Sequence, residues 1–327
     1  MKYFINSIVI SVIGLALAFY IGGLNALYIT ALLAILEVSL SFDNAVVNAK
    51  VLETMEPKWQ KRFITFGIPI AVFGMRFVFP IVIVAVASNI GIFDTFMLAI
   101  DEPQKYKETL ESVEKLIYAF GGSFLLMIFL SFLFDEDREE KWIKIIEDSR
   151  VIGKLGEVNN IALIIAMAIG LYLVQKTSSQ AIAMAYFGGI FLHSLILSLD
   201  DLLSTDGIRS GIMGLLYLEV LDASFSFDGV IGAFALSSDI FIIMLGLGIG
   251  AMFVRSMTIY LVEMKTLAEY RYLEHGAHYA ILALALIMFM KMFMPIDEII
   301  VGTIGVTFIA VSAIHSVIEN RKEEKEM

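Results

Sequence analysis

Two acidic residues interrupt the apolar stretch 37–49, EVSLSFDNAVVNA, hereafter the first motif segment. Glu37 and Asp43 occupy positions where a membrane helix should carry apolar side chains. An ionised acid at the centre of such a helix costs about 2.5–3.5 kcal/mol. Such a cost indicates a cavity, a bound cation or an internal partner. Carboxylates with neighbouring Ser and Asn oxygens suit hard divalent cations such as Mg²⁺, Ca²⁺ or Mn²⁺.

The pattern recurs in residues 222–235, DASFSFDGVIGAFA, hereafter the second motif segment. Its acids, Asp222 and Asp228, keep the six-residue spacing of the first segment, and both segments contain Ser-Phe-Asp. Six residues of regular helix turn the second acid about 120° away from the first. The small and polar residues around both motifs tolerate unwinding, so we expect a broken helix at each.

The next apolar span after each motif segment carries one arginine, Arg76 in FGMRFVFP and Arg255 in AMFVRSMTIY. The two guanidinium groups could hold the acids while a cation site is empty and release them when the cation arrives. They could also serve only as buried counter-charges to Asp43 and Asp228 that fix helix packing. The sequence leaves both interpretations open.

The composition requires a membrane for these segments. Of 327 residues, 59% are hydrophobic and only 17% are charged, and the mean hydropathy is +0.84. Apolar runs long enough to cross about 30 Å of hydrocarbon recur along the chain. We predict an all-α, polytopic transmembrane helix bundle of about ten helices, at residues 4–22, 25–48, 63–88, 113–134, 159–175, 179–199, 211–236, 239–262, 277–294 and 298–318.

The motif segments lie on the second and seventh predicted spans, so they should run in opposite directions. This arrangement predicts an inverted-topology repeat with a site at the interface of the two halves. We expect a first half at 1–134, a cytoplasmic linker at 135–158, a second half at 159–320 and a cytoplasmic tail at 321–327. Most of the 23 lysines and arginines fall on the side of both termini, which predicts a multi-pass protein of the cell membrane, plasma or inner, with cytoplasmic termini.

The paired motifs resemble those of the TerC family of integral membrane proteins, through SFDNAVV in the first segment and SFDG in the second. The stretch YRYLEHGAHYAILALALIMFMKMF, which carries Lys291, resembles a late segment of that family. The resemblance implies export of manganese and places Asp43, Asn44 and Asp228 in the cation path, with Glu37 and Asp222 beside them.

We therefore expect a transporter that exports a divalent cation by alternating access, with Mn²⁺ favoured and Ca²⁺ as the alternative. Metal ligands would come from Asp43, Asp228, Glu37, Asp222 and Asn44, and charge pairing or gating from Arg76, Arg255 and Lys291. Besides the bilayer and the cation, protons are a plausible counter-ion, because grouped carboxylates bind them. No cofactor and no nucleic-acid partner is expected, and the oligomeric state stays open.

Three other classes of function compete with this reading. An exporter of a small organic solute such as an amino acid would use the arginines to bind a carboxylate. A membrane scaffold for stress proteins would leave the acids unexplained. An intramembrane aspartyl protease would need only one acid pair, and no Gly-x-Gly-Asp element is present, so we expect no enzyme.

Overall fold

The computed structural model describes residues 2–135, 138, 140–203, 211–237, 239–264, 270–296 and 298–326. Within these ranges, the side chains at 2, 43, 64–69, 71–73, 75, 87, 200, 201, 203, 226–228, 231, 235, 298, 299 and 324–326 are outside the description. The side chains of Asp43 and Asp228 are among these.

The described chain is helical. After a 3-10 turn at Lys2–Phe4, the α-helices are Ile5–Leu40, Phe42–Glu53, Pro57–Pro69, Phe79–Ser88, Ile92–Asp101, Pro103–Leu133, Lys144–Glu147, Arg150–Gly156, Ile161–Thr177, Gln180–Leu203, Gly211–Leu236, Ile240–Glu263, Leu273–Lys291 and Glu298–Glu326. A π-helix, Ile70–Val78, joins two of them. All ten predicted spans fall on these helices, to within a few residues at their ends.

Helix Ile5–Leu40 reverses direction at Gly22 and Gly23, whose backbone angles are not helical. Ser7 donates a hydrogen bond to the Met252 carbonyl, whereas a Cβ at Gly22 would approach Ile242. Beyond the glycines the chain returns along the same neighbour helix, because Leu33 contacts Gly246 and Glu37 contacts Gly250. Gly23 has a φ of +67°, which glycine adopts without strain. The turn separates the first two predicted spans.

The bundle has the surface of a membrane protein. Six described helices are long and apolar enough to cross a bilayer, or seven if the bent pair Arg150–Gly156 and Ile161–Thr177 counts as one. Large apolar side chains such as Val12, Leu171 and Phe191 are exposed on the outside, where lipid would cover them. The protein is thus a polytopic helical membrane bundle.

The helix breaks differ between the two motif segments. In the first, the helix ends at Leu40 and restarts at Phe42, and Ser41 has φ −109° and ψ 17°. The second lies within one uninterrupted helix, Gly211–Leu236, so the expectation of a broken helix there was wrong. Ser224 donates its hydroxyl proton to the Val220 carbonyl of its own helix, which satisfies this polar side chain without unwinding.

The linker after Leu133 packs on the bundle instead of extending into solvent. It contains two short helices, and buried Glu147 holds it in place. Glu147 lies 3.2 Å from Arg138 and 3.1 Å from His275, and Tyr279 donates a 3.1 Å hydrogen bond to it. Trp142 Nε1 donates to His315 Nδ1 at 2.9 Å. The linker is thereby attached to the last two long helices.

Candidate functional site

The two motif segments pack against each other in antiparallel directions. Asn44 and Asn48 of the first donate Nδ2 hydrogen bonds of 2.8 and 2.7 Å to Asp222 Oδ1 of the second. At the other end of the contact, a Cβ at Gly229 would lie 2.9 Å from Glu37 Oε2. Residue numbers therefore rise along one segment while they fall along the other, as the predicted inverted orientation requires.

The contact between the segments is also reciprocal. Asp222 corresponds to Glu37 in the repeat, and Gly229 corresponds to Asn44. Asp222 contacts Asn44, and Glu37 contacts Gly229, so each acid meets the same position of the opposite segment. Such an exchange of partners is what a two-fold relation between two units produces.

The acid of the first half is fully buried and closely paired. Glu37 has 1% of its surface exposed; Arg76 Nη2 forms an ion pair with its Oε1, and Ser41 donates a 3.0 Å hydrogen bond to the same oxygen. The neighbouring helix approaches through Gly250, where a Cβ would lie only 2.4 Å from Glu37 Cβ. This small residue lets the helix backbones come close at the acid.

Local irregularities position both partners of this pair. Ser41, which bonds to Glu37, is the residue at the helix break. Arg76 lies in the π-helix Ile70–Val78, and such wide turns occur often at functional sites in otherwise regular helices. We infer that the widened backbone directs the guanidinium group inward, where it is 5% exposed.

The acid of the second half has a looser arginine. Asp222 Oδ2 lies 3.9 Å from Arg255 Nη1, and Glu219 Oε1 lies 3.7 Å from Arg255 Nη2. Both distances exceed those of hydrogen bonds. The guanidinium carbon lies 3.7 Å from the centre of the Phe63 ring, a favourable cation–π position. Arg255 is thus shared by two carboxyl groups and rests on an aromatic ring.

Cavities adjoin this buried charge. A small cavity is lined by Asn44, Asn48, Arg76, Asp222 and Arg255 among others, and offers about 10 Å³ to the centre of a water-sized sphere, enough for about one water molecule. A second cavity, about 220 Å³ by the same measure, is apolar and has Glu219 in its wall. The charged groups therefore lie between two internal spaces.

Comparison with known proteins places the chain in a family. Residues 42–323 match the family described as "Protein of unknown function (DUF475)". The chain belongs to this family. The match covers most of the DUF475 chain, including the second motif segment, both arginines and residues 42–49 of the first motif segment, whereas Glu37 lies before it. No curated protein and no solved structure matches the chain.

The predicted site residues of this DUF475 protein are only partly brought together. Glu37, Asn44, Asp222, Arg76 and Arg255 meet at the crossing of the motif segments. Asp43 and Asp228 have side chains outside the described set, so their part in the site stays a prediction. Lys291 is buried at the end of helix Leu273–Lys291, with Nζ 5.7 Å from the centre of the Tyr118 ring, and its gating role also stays a prediction.

Metal ligation is not visible among the described side chains, where no group of three or more His, Cys, Asp or Glu could hold an ion. The described acids of the DUF475 site contact arginine and amide donors instead. Arg76 neutralises Glu37, and Arg255 lies beside Asp222 and Glu219. The arginine pairings expected with Asp43 and Asp228 fall on side chains that are not described.

Sequence reasoning missed three residues of the DUF475 site. Glu219 is the additional acid beside Arg255, and its position three residues before Asp222 on one helix was a usable signal, because such positions share a face. Asn48 was assigned only a role in local unwinding, whereas it hydrogen-bonds to Asp222. Phe63 lies on a separate helix, and no pattern in the sequence links it to Arg255.

Proposed function

We propose that this protein exports a divalent cation from the cytoplasm by alternating access, with Mn²⁺ as the favoured substrate and Ca²⁺ as the alternative. One observation carries the proposal: each of the two repeated acids contacts the corresponding position of the opposite motif segment, where two antiparallel membrane helices cross. A site at the interface of inverted repeats is a recurrent plan in secondary transporters. The resemblance of the paired Ser-Phe-Asp motifs to the TerC family supports the choice of manganese.

The charge of the site favours a cation over an anion. The motif segments and Glu219 carry five acids, against the two arginines Arg76 and Arg255. Oxygen ligands from carboxylates and amides are those that Mn²⁺ and Ca²⁺ accept. The same acids would bind protons when the cation leaves, so an inward proton flux is the counter-transport that we propose.

The test is uptake of Mn²⁺, Ca²⁺ and Mg²⁺ into tight proteoliposomes that hold the purified protein. Wild type should be compared with Asp43→Asn, Asp222→Asn and Asp228→Asn, and with Glu108→Gln, which alters an exposed acid. We expect uptake of one cation that each motif variant abolishes and that the control leaves unchanged. Wild-type vesicles that are tight and correctly loaded but inactive would contradict the proposal.

Export of a small organic carboxylate is the second candidate, and one observation favours it. Arg76 is buried, and its Nε and Nη1 make no hydrogen bond to any described residue, so two donors could bind a carboxylate. This candidate predicts uptake of labelled amino acids that Arg76→Gln abolishes and Asp228→Asn leaves largely intact. The opposite dependence on these two variants supports the cation.

A further inference from the structure

The two repeated acids differ in how completely the protein satisfies them. Glu37 is in an ion pair with Arg76, accepts a hydrogen bond from Ser41, and has a glycine at the crossing position. Asp222 has two amide side chains at the crossing, and its arginine is 3.9 Å away. The residues that correspond to Asn44 and Asn48 in the second half are Gly229 and Ala233. Amide ligands therefore exist only on the Asp222 side.

Unsatisfied oxygen atoms also concentrate on that side. Both carboxyl oxygens of Glu219 are buried without a hydrogen bond, and so is Asn48 Oδ1. Glu219 is 9% exposed and Asn48 is 3% exposed. Buried polar atoms without partners are destabilising, and a bound cation would satisfy them.

Arg255 does not form hydrogen bonds that would satisfy the carboxyl oxygens of Glu219. It is held against the Phe63 ring and remains 3.7 Å or more from both acids. A cation that bound between Asp222 and Glu219 would therefore break no short ion pair, whereas a cation at Glu37 would have to displace Arg76. The free-energy cost of binding a cation is therefore lower at Asp222 than at Glu37.

We propose that the cation binds on one side of the repeat only, to Asp222, Glu219 and the side-chain oxygen of Asn48, and that Glu37 is a paired acid that does not bind it. This inference rests on the proposed cation transport and locates its substrate site. Asn48 would turn its amide so that Oδ1 replaces Nδ2 next to the carboxylates. Phe63 acts as the positioning residue that holds Arg255 at 3.7 Å or more from both acids.

The test is Mn²⁺ affinity of the purified protein by isothermal titration calorimetry, together with Mn²⁺ uptake into proteoliposomes. The variants are Asn48→Ala, Asn48→Asp and Glu219→Gln. The control is Thr30→Val, because the Thr30 hydroxyl is also buried without a hydrogen bond but is not part of the proposed site. Size-exclusion profiles and melting temperatures identify variants that do not fold. We expect Asn48→Ala and Glu219→Gln to weaken binding at least about tenfold, and Thr30→Val to bind as wild type.

Asn48→Asp separates a ligand from a structural residue. An aspartate keeps an oxygen ligand and adds charge, so affinity for Mn²⁺ should equal or exceed that of wild type. If Asn48 served only to donate a hydrogen bond to Asp222, the aspartate would repel that acid, and affinity would fall at least as far as in Asn48→Ala. That fall would overturn the inference.

Failure of this inference and failure of the transport proposal look different. In one outcome, wild type binds and transports Mn²⁺, Asp222→Asn loses both activities, and Asn48→Ala and Glu219→Gln keep wild-type affinity. This outcome overturns the one-sided site and leaves the transport proposal standing. Wild type that neither binds nor moves Mn²⁺, Ca²⁺ or Mg²⁺ overturns both.

Discussion

Asn44 donates a 2.8 Å hydrogen bond to Asp222 across the contact between the two halves of the chain. The corresponding contact in the other direction joins Gly229 to Glu37. The contact therefore holds both acids, Asp222 near one end and Glu37 near the other. It is not symmetric in detail, because one acid faces an amide and the other faces a glycine.

Gly250→Ala should destabilise the protein, because the new methyl group would lie 2.4 Å from Glu37 Cβ and 2.9 Å from the Ala34 carbonyl oxygen. Overpacking of this kind costs about 1–3 kcal/mol. The melting temperature in detergent measures the effect. Gly153→Ala is the matched control, since among the described residues no heavy atom beyond its chain neighbours and its own helix backbone lies within 4 Å of a Cβ there. Equal melting temperatures of the two variants would contradict the close approach.

Arg76→Gln should destabilise the protein by about 3–5 kcal/mol, because it leaves Glu37 as an uncompensated buried charge. Glu37→Gln should do likewise by leaving Arg76 unpaired. The double variant should lose less than the sum of the two single losses, since neither charge remains. A thermal-unfolding double-mutant cycle measures the coupling, and strict additivity would show that the two side chains do not interact.

Acid pH should weaken the docking of the linker on the bundle, because it protonates Glu147. Burial raises the pKa of Glu147, but the hydrogen bond and charge of His275, the charge of Arg138 and the Ile143 N–H outweigh it, so the pKa lies below the ordinary 4.5. A lowered folded-state pKa contributes stability that is present above 4.5 and is lost as the pH falls through the folded value.

Trp142 reports this docking, because it is buried and bonded to His315. In a Trp59→Phe background, we expect its emission to shift to the red as the pH falls below 4.5. Glu147→Gln should weaken docking at neutral pH and flatten the change in that range. Asp148→Asn, which alters an exposed acid, should titrate as wild type. An unchanged titration in Glu147→Gln would exclude this acid as the cause.

The proposed orientation can be tested directly, since the chain contains no cysteine. Single cysteines at Lys58 and Glu157 should be protected from an impermeant maleimide in intact cells, because both positions should face the cytoplasm. Cysteines at Glu102 and Lys176 should react without permeabilisation. Labelling of the Lys58 position in intact cells would show that the orientation is the opposite of the predicted one.

Hydropathy located the helices of this protein well, because the length of an apolar run is set by the thickness of the bilayer. The predicted span 211–236 lies on helix Gly211–Leu236, and the predicted boundary after residue 22 coincides with the turn at Gly22 and Gly23. The break at Ser41 was also expected. Its counterpart in the second half was not found, since residues that permit unwinding do not force it when the helix itself satisfies their side chains.

The positions of Glu37, Asp222 and the two arginines at one helix contact, and the opposite helix directions, could be predicted because a repeat reveals them, whereas the roles of Asp43 and Asp228 stay predictions. Side-chain partners were less accessible, because they depend on which helix faces which. The link between Phe63 and Arg255 and the two hydrogen bonds of Asn48 and Asn44 to one acid arise from packing between distant segments. Glu219 was the exception, since its spacing from Asp222 already placed it on the same face.

The exchange of Asn44 for Gly229 depends on both halves being carried by one chain. An antiparallel pair made of two first halves would offer an amide to each acid, and a pair made of two second halves would offer a glycine to each. A chain that carries both halves can keep one of each. A dimer of identical subunits cannot, since there every substitution appears twice.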